Sequence, residues 1–299
     1  MSATEPAHAK PLCVWDLGCE LGEGPVWIAA EAALWFVDIK GARIHRLHPA
    51  TGEQRSWTTP SAPGFLAPLA GGKFLVGLKS GLHRFDPTAR EPVFERLYGV
   101  EPHLPGNRLN DGAVDSHGRL WFGSMDDGET QASGCLYRLG VGGPVVMDDG
   151  YVITNGPAFS PDGRLLYHTD TLAKTIYAFD VDSAGEIGGK RVFARIEDGG
   201  GYPDGPTVDA EGCVWTGLFG GWSVRRYAPS GELLQTVQFP CANVTKIAFG
   251  GEDLRTVYAT TAWKGLSKSD REGQPLAGGL FAFRTQVPGL PSVEVSHGV

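Results

Sequence analysis

Three stretches, NDGAVDSHGRLWFG (residues 110–123), NGPAFSPDGRLLYHT (155–169) and DGPTVDAEGCVWTG (204–217), superimpose without a gap in their first halves. Each opens on an oxygen-bearing polar side chain and runs into a short apolar strand. A hairpin of the Asp/Pro-x-Gly type follows, and then a strand carrying an aromatic residue. A third strand follows in each, marked by YRL, YAFD or RRYAP. EGPVWIAAEAALWFVD, from Glu23, matches with one residue of slack. FLAPLAGGKFLVGLKSGLHRFDP, from Phe65, and VTKIAFGGEDLRTVYATTA, from Val244, match more loosely. With Trp35, Phe74, Trp121, Tyr167, Trp215 and Tyr258 as landmarks, the intervals are 39, 47, 46, 48 and 43 residues. A period of 40–50 residues built of short strands is that of a β-propeller blade.

The expected fold is therefore all-β: a six-bladed β-propeller of four-stranded antiparallel blades around a central channel. A jelly roll or sandwich would leave the six-fold period unexplained. The strand near Leu12–Leu17 is left over, and pairing it with the last blade near Leu280–Phe283 closes the ring, which removes exposed sheet edges. One domain spans residues 1–299, with 1–11 and 286–299 expected as flexible tails. No stretch of twelve or more residues carries a helical period.

Composition agrees. Glycine makes 43 of 299 residues, about twice its usual ~7% share, as a turn-rich chain requires. The formal charge of −8, with no basic cluster, argues against nucleic acid and anionic membranes as partners. No apolar run approaches the ~18 residues of a membrane span, and the N-terminus lacks the apolar core of a signal peptide. Five scattered cysteines without a C-x-x-C pair read as free thiols in a cytoplasmic protein. The NVT sequon at Asn243 is then a chance match.

Equivalent positions in different blades lie in one ring around the axis. The residues leading into the inner strands are Glu23, Asn110, Asn155 and Asp204, and they are expected to converge at one mouth of the channel. Turn preference explains the Gly-Pro of TNGP and PDGP, but not Glu23, because glutamate is not favoured in turns. Polar channel residues around water are the plain alternative. Two carboxylates and two amide oxygens suit a hard divalent cation such as Ca²⁺, Mg²⁺ or Mn²⁺, with Fe²⁺ or Zn²⁺ also possible.

Other chemistries lack their motifs: there is no G-x-S-x-G elbow and no phosphate-binding P-loop. His45 and His48, an odd spacing apart in a strand, are expected at the surface on opposite faces. His168 is expected as a hydrogen-bonded inner-strand residue, with a catalytic role as the alternative. Trp222 reads as either a pocket wall or core, and the 88–106 connection as a lid.

LGEGPVWIAAEAALWFVDI, RLNDGAVDSHGRLWFGSM, TNGPAFSPDGRLLYHTDT and YPDGPTVDAEGCVWTGLFGG together resemble the SMP-30/gluconolactonase/regucalcin family, in character nearest its bacterial sugar lactonases. The likeness runs from about residue 13 to about 285. It implies a six-bladed propeller with one catalytic divalent metal, liganded by Glu23, Asn155 and Asp204. Asp204 is also the implied general base, and Arg108 and Asn110 the implied substrate contacts. The family's GTMAEE reads GSMDDGE here, so the substrate-contacting acid is left to Glu129, Asp126 or Asp127. The implied reaction is hydrolysis of a pentono- or hexonolactone, with a small sugar lactone as partner and the protein a monomer or weak oligomer. A metal-dependent phosphotriesterase-like hydrolase, a calcium-binding regulatory propeller and an interaction platform are the alternatives.

Overall fold

The computed structural model describes residues 10–298. Twenty-four strands form six four-stranded antiparallel sheets. The inner strands are Gly22–Ile28, Pro63–Leu69, Asn107–Val114, Thr154–Phe159, Tyr202–Val208 and Asn243–Gly250. Each packs against the next, and the sixth returns to the first. The result is a six-bladed propeller in which blades three and six face one another across the axis.

The six landmark aromatics all lie on the second strand of their blade, each no more than 4% exposed. They occupy the interfaces between sheets; Trp35 stacks on Trp57 and leans on Phe74 from blade two. The repeated Asp of VDSHGRLW and VDAEGCVW has a structural cause. Asp115 caps its hairpin through the His117 and Arg119 amides and accepts from Trp121 Nε1 at 3.0 Å. Asp209 does the same for Glu211, Cys213 and Trp215.

The ring closes as the sequence indicates. Leu12–Trp15 is the outer strand of blade six, with Leu12 opposite Ala282 and Cys13 opposite Phe281. A single α-helix, Lys268–Gly273, stands among the described residues, started by a capping box between Ser267 and Asp270. No helix of the described residues is long and apolar enough to cross a membrane.

Three expectations are corrected. Residues 286–298 are not a free tail but a strap across the channel end opposite the polar ring. Ser292 Oγ donates to Trp27 O, Val295 N to Pro68 O and Ser296 N to Gly118 O, and the Val295 side chain is buried. The strap's apolar residues cover strand ends that would otherwise open the core to water. The proposed N-terminal tail falls mostly on residues 1–9, outside the described region. The 88–106 connection is not a lid, because Phe94–Gly99 in its middle is the outer strand of blade two. Its remaining loop is pinned by Glu101, which accepts from Ser124 Oγ, Tyr137 OH and Asn107 Nδ2.

Thirdly, the Gly-Pro pairs are not turns. They lie inside inner strands, each at a β-bulge where one extra residue interrupts the pairing with the second strand. The shift falls between Glu23 and Val26, Asn155 and Ala158, and Pro203 and Pro206, and again between Leu109 and Gly112, and Val244 and Ile247. A bulge is where a strand tolerates a residue without an N–H, and it re-aims the neighbouring side chain.

Candidate active site

The bulges build the site. Glu23 and Asn155 are the last paired residues before theirs, while Asn110 and Asp204 are the first unpaired residues of theirs. All four sit near the starts of the inner strands, at the channel end away from the strap, and all are at least nine-tenths buried.

Glu23 Oε2 accepts from the Gly24 amide and Asp204 Oδ1 from the Gly205 amide, at 2.9 and 3.0 Å. The two carboxyls lie within hydrogen-bonding reach of each other. Burial, and then the charges of Asp204 and Asp111, push the Glu23 carboxyl well above the usual carboxylate range. Burial, and then Asp111, push Asp204 up to about 7. Asn155 is fixed from both ends: its Nδ2 donates to Thr171 Oγ1 at 2.9 Å, and its Oδ1 accepts from Asn110 Nδ2 at 3.0 Å. Thr171 in turn donates to Pro203 O. The orientation of the amide is thereby set, with its oxygen toward Asn110.

This donor set fits a hard divalent cation. Two carboxylates buried against each other repel, and only a proton or a cation relieves them. Among the described residues no three His, Cys, Asp or Glu side chains are close enough to hold an ion by themselves. The neighbouring oxygen donor that the sequence adds to the two carboxyls is the amide of Asn155.

Arg108 is buried at 3% exposure. Its Nε donates to Asp127 Oδ1 at 2.8 Å, and its Nη1 to Asn110 Oδ1 at 2.6 Å and to Leu109 O. No hydrogen bond from Nη2 to another described residue is formed, so one edge of the guanidinium fork is left for an incoming oxygen. Asn110 is heavily engaged: besides Arg108 and Asn155 it donates to Thr154 O at 2.6 Å.

The three acids of GSMDDGE have separate places. Asp126 accepts from the Thr130 and Gln131 amides and closes its own loop. Asp127 accepts from Arg108 and, at 2.7 Å, from Lys40 of blade one. Burial acts to raise the Asp127 carboxyl, but Lys40 and Arg108 outweigh it and hold it below the usual range. Glu129 stands on a positive-φ loop position, partly exposed, and pairs with Lys264 of blade six. Asn243 anchors that lysine's backbone by donating to Lys264 O, and its buried amide is thereby occupied.

The sequence reading missed Asp111, Lys246, Lys40 and Thr171. Lys246 Nζ donates to Asp111 Oδ1 at 2.5 Å, with both side chains buried. His45 is buried rather than superficial; its Nδ1 meets Ser56 Oγ at 2.8 Å, and burial holds it near pKa 4. His168 lies on a second strand and is fully buried, and neither ring nitrogen finds a partner among the described residues. It stands edge-on to Tyr151 and takes no part in the polar ring. Trp222 is 42% exposed in the loop between the second and third strands of blade five, on the polar-ring side, and is not core.

The family model described as the SMP-30/Gluconolactonase/LRE-like region matches residues 21–263. The chain is 37% identical to a 6-deoxy-6-sulfogluconolactonase of Pseudomonas putida, over 93% of this chain and 95% of that one. It is 36% identical to an L-arabinolactonase of Azospirillum brasilense, over 97% and 96%. Among solved structures it superimposes on a calcium-binding protein, regucalcin, from Agrobacterium tumefaciens. The TM-score is 0.92 and the identity 28%, covering 97% of this chain and 98% of that one.

Proposed function

This chain belongs to the SMP-30/gluconolactonase/LRE-like family, and we propose that it hydrolyses a sugar lactone, opening a pentono- or hexonolactone to the aldonic acid. The observation that carries the reading is the pair of abutting buried carboxyls, Glu23 and Asp204, completed by the pinned amide oxygen of Asn155. These three residues would hold one divalent cation, of the kind that hard oxygen donors bind. Bound there, such an ion supplies Lewis acidity toward a carbonyl oxygen and balances the buried charge. Relatives named as lactonases of two different sugars support the reaction class.

The remaining chemistry belongs to the protein. Asp204 takes a proton from the water that attacks the lactone carbonyl, and returns it to the ring oxygen as the carbon–oxygen bond breaks. One water and one lactone become one hydroxy acid. Its raised affinity for protons matches a base working near neutral pH. Arg108 offers Nη2 to the sugar oxygens and then to the product carboxylate. Asn110 lines the sugar and holds Arg108 and Asn155 in register. Glu129, at the mouth beside Lys264, accepts from a sugar hydroxyl. Five free thiols suit a reducing compartment, so a cytoplasmic location is part of the proposal.

The test is a panel of aldonolactones assayed after loading with divalent cations, comparing the unmodified protein with Asp204→Ala and Asn155→Ala. Loss of hydrolysis in both variants is expected; undiminished hydrolysis in both overturns the site.

A further inference from the structure

Directly beneath the polar ring lies a second layer, formed by the next residue of each bulge. Its members are Gly24, Asp111, Gly156, Gly205 and Lys246. Only two carry charge, and they come from blades three and six, which are opposite. The Lys246 side chain therefore spans the channel to reach Asp111. The layer is shaped around this crossbar. A Cβ on Gly205 would come within 2.7 Å of Lys246 Cδ and 2.8 Å of Asp111 Oδ2. The Gly156 amide donates to Asp111 Oδ2 at 2.8 Å. The glycines that follow Asn155 and Asp204 thus serve the layer below them. On the far side of Lys246 lies a cavity of about 360 Å³, lined by mostly apolar residues such as Trp27, Leu66 and Phe249 and flanked by Leu290–Val293 of the strap.

The buried charge can then be counted. Glu23, Asp204 and Asp111 are three carboxylates, and Lys246 is the one ammonium among them. Arg108 is paired at the mouth with Asp127, which the part-exposed Lys40 also reaches, and these groups lie outside the count. Two negative charges remain on buried side chains, and a divalent cation would neutralise them.

We propose that Lys246, held across the channel by Asp111, is a charge-setting positioning residue that makes the ring select a divalent over a trivalent cation. The inference rests on the divalent-cation reading of Glu23, Asn155 and Asp204. Removing the ammonium leaves three negative charges and favours a trivalent ion. Removing the Asp111 charge leaves one and weakens binding of any divalent ion. Removing both charges restores two.

The experiment titrates metal-free protein with Ca²⁺ and with La³⁺, an ion of similar size and greater charge, by calorimetry and by the shift in melting temperature. The variants are Lys246→Met, Asp111→Asn and the double variant. Lys246→Met is expected to move the La³⁺/Ca²⁺ affinity ratio up by about tenfold or more, each tenfold being about 1.4 kcal/mol. Asp111→Asn weakens Ca²⁺ binding by a similar factor, and the double variant returns the ratio to about that of the unmodified protein. A merely structural crossbar would not be rescued by the double change. A ratio that is unaltered in Lys246→Met, or that stays shifted in the double variant, overturns the proposal. Should Lys246→Met not fold, unaltered Ca²⁺ affinity in Asp111→Asn overturns it equally. Failure of the unmodified protein to bind either ion refutes instead the divalent-cation reading on which it rests.

Discussion

Asp204→Asn should stabilise the metal-free protein while removing its response to metal. In the unfolded chain this carboxyl has its ordinary pKa, near 3.8; in the native site burial and Asp111 push it up to about 7. A carboxyl with a raised native pKa must take up a proton on folding, or be buried charged, once the pH exceeds the unfolded value, so folding is penalised there. The penalty grows until the pH passes the native value. At 1.36 kcal/mol per pH unit the full penalty is about 4 kcal/mol, and roughly 2–4 kcal/mol once Glu23 shares the same proton. An asparagine amide carries no charge and can donate to the Glu23 carboxylate. By scanning calorimetry at pH 8 in the presence of chelator, Asp204→Asn should melt about 3–6 °C above the unmodified protein, given the entropy of unfolding of a chain this size. Toward pH 5 the gap narrows, because the native carboxyl then keeps its proton. Added divalent cation should raise the melting point of the unmodified protein and not that of the variant. A variant that melts lower at pH 8, or a gap that ignores pH, would refute the idea that the two carboxyls are crowded together.

Three further outcomes test separate parts of the account. Asp209→Ala strands the buried side of Arg226 and leaves Trp215 Nε1 unpaired; it should cost about 3 kcal/mol, lowering the melting point by roughly 5 °C in calorimetry. Thr171→Val removes the partner of Asn155 Nδ2 while leaving the proposed ligands themselves unaltered; divalent affinity measured by calorimetry should weaken about tenfold. Arg108→Lys keeps the charge but loses the fork that binds Asp127 and Asn110 together. It should raise KM about tenfold in steady-state assays and leave metal affinity nearly unchanged.

Much of the frame was legible because propeller blades repeat both their landmarks and their polar lead residues. Trp35 through Tyr258 all fall on the second strand of their blade, and the strand at Leu12 closes the ring where the leftover sequence indicated. The approach of Glu23, Asn110, Asn155 and Asp204 to one channel end follows from the same periodicity. The remaining features depend on geometry that periodicity does not encode. A Gly-Pro pair has the same letters in a turn and in a bulge, and only strand pairing separates them. Lys246 stands at the position where blades one, four and five carry Gly, but sixth-blade similarity is weak and the partner, Asp111, lies 135 residues away. His45 looks superficial by its spacing, yet Trp15 and Phe36 pack around it. The strap at 286–298 has no strand pattern, so its burial arises from contacts with the ends of distant blades rather than from local propensity.

The most direct test of the account is a titration of chelator-treated protein with a divalent cation, following acid release from an aldonolactone and bound metal together. The account predicts that hydrolysis rises in step with occupancy and saturates at one ion per chain, with neither occurring in Asn155→Ala. Hydrolysis that persists in the stripped protein, or metal binding that saturates without hydrolysis of any lactone in the panel, would contradict it.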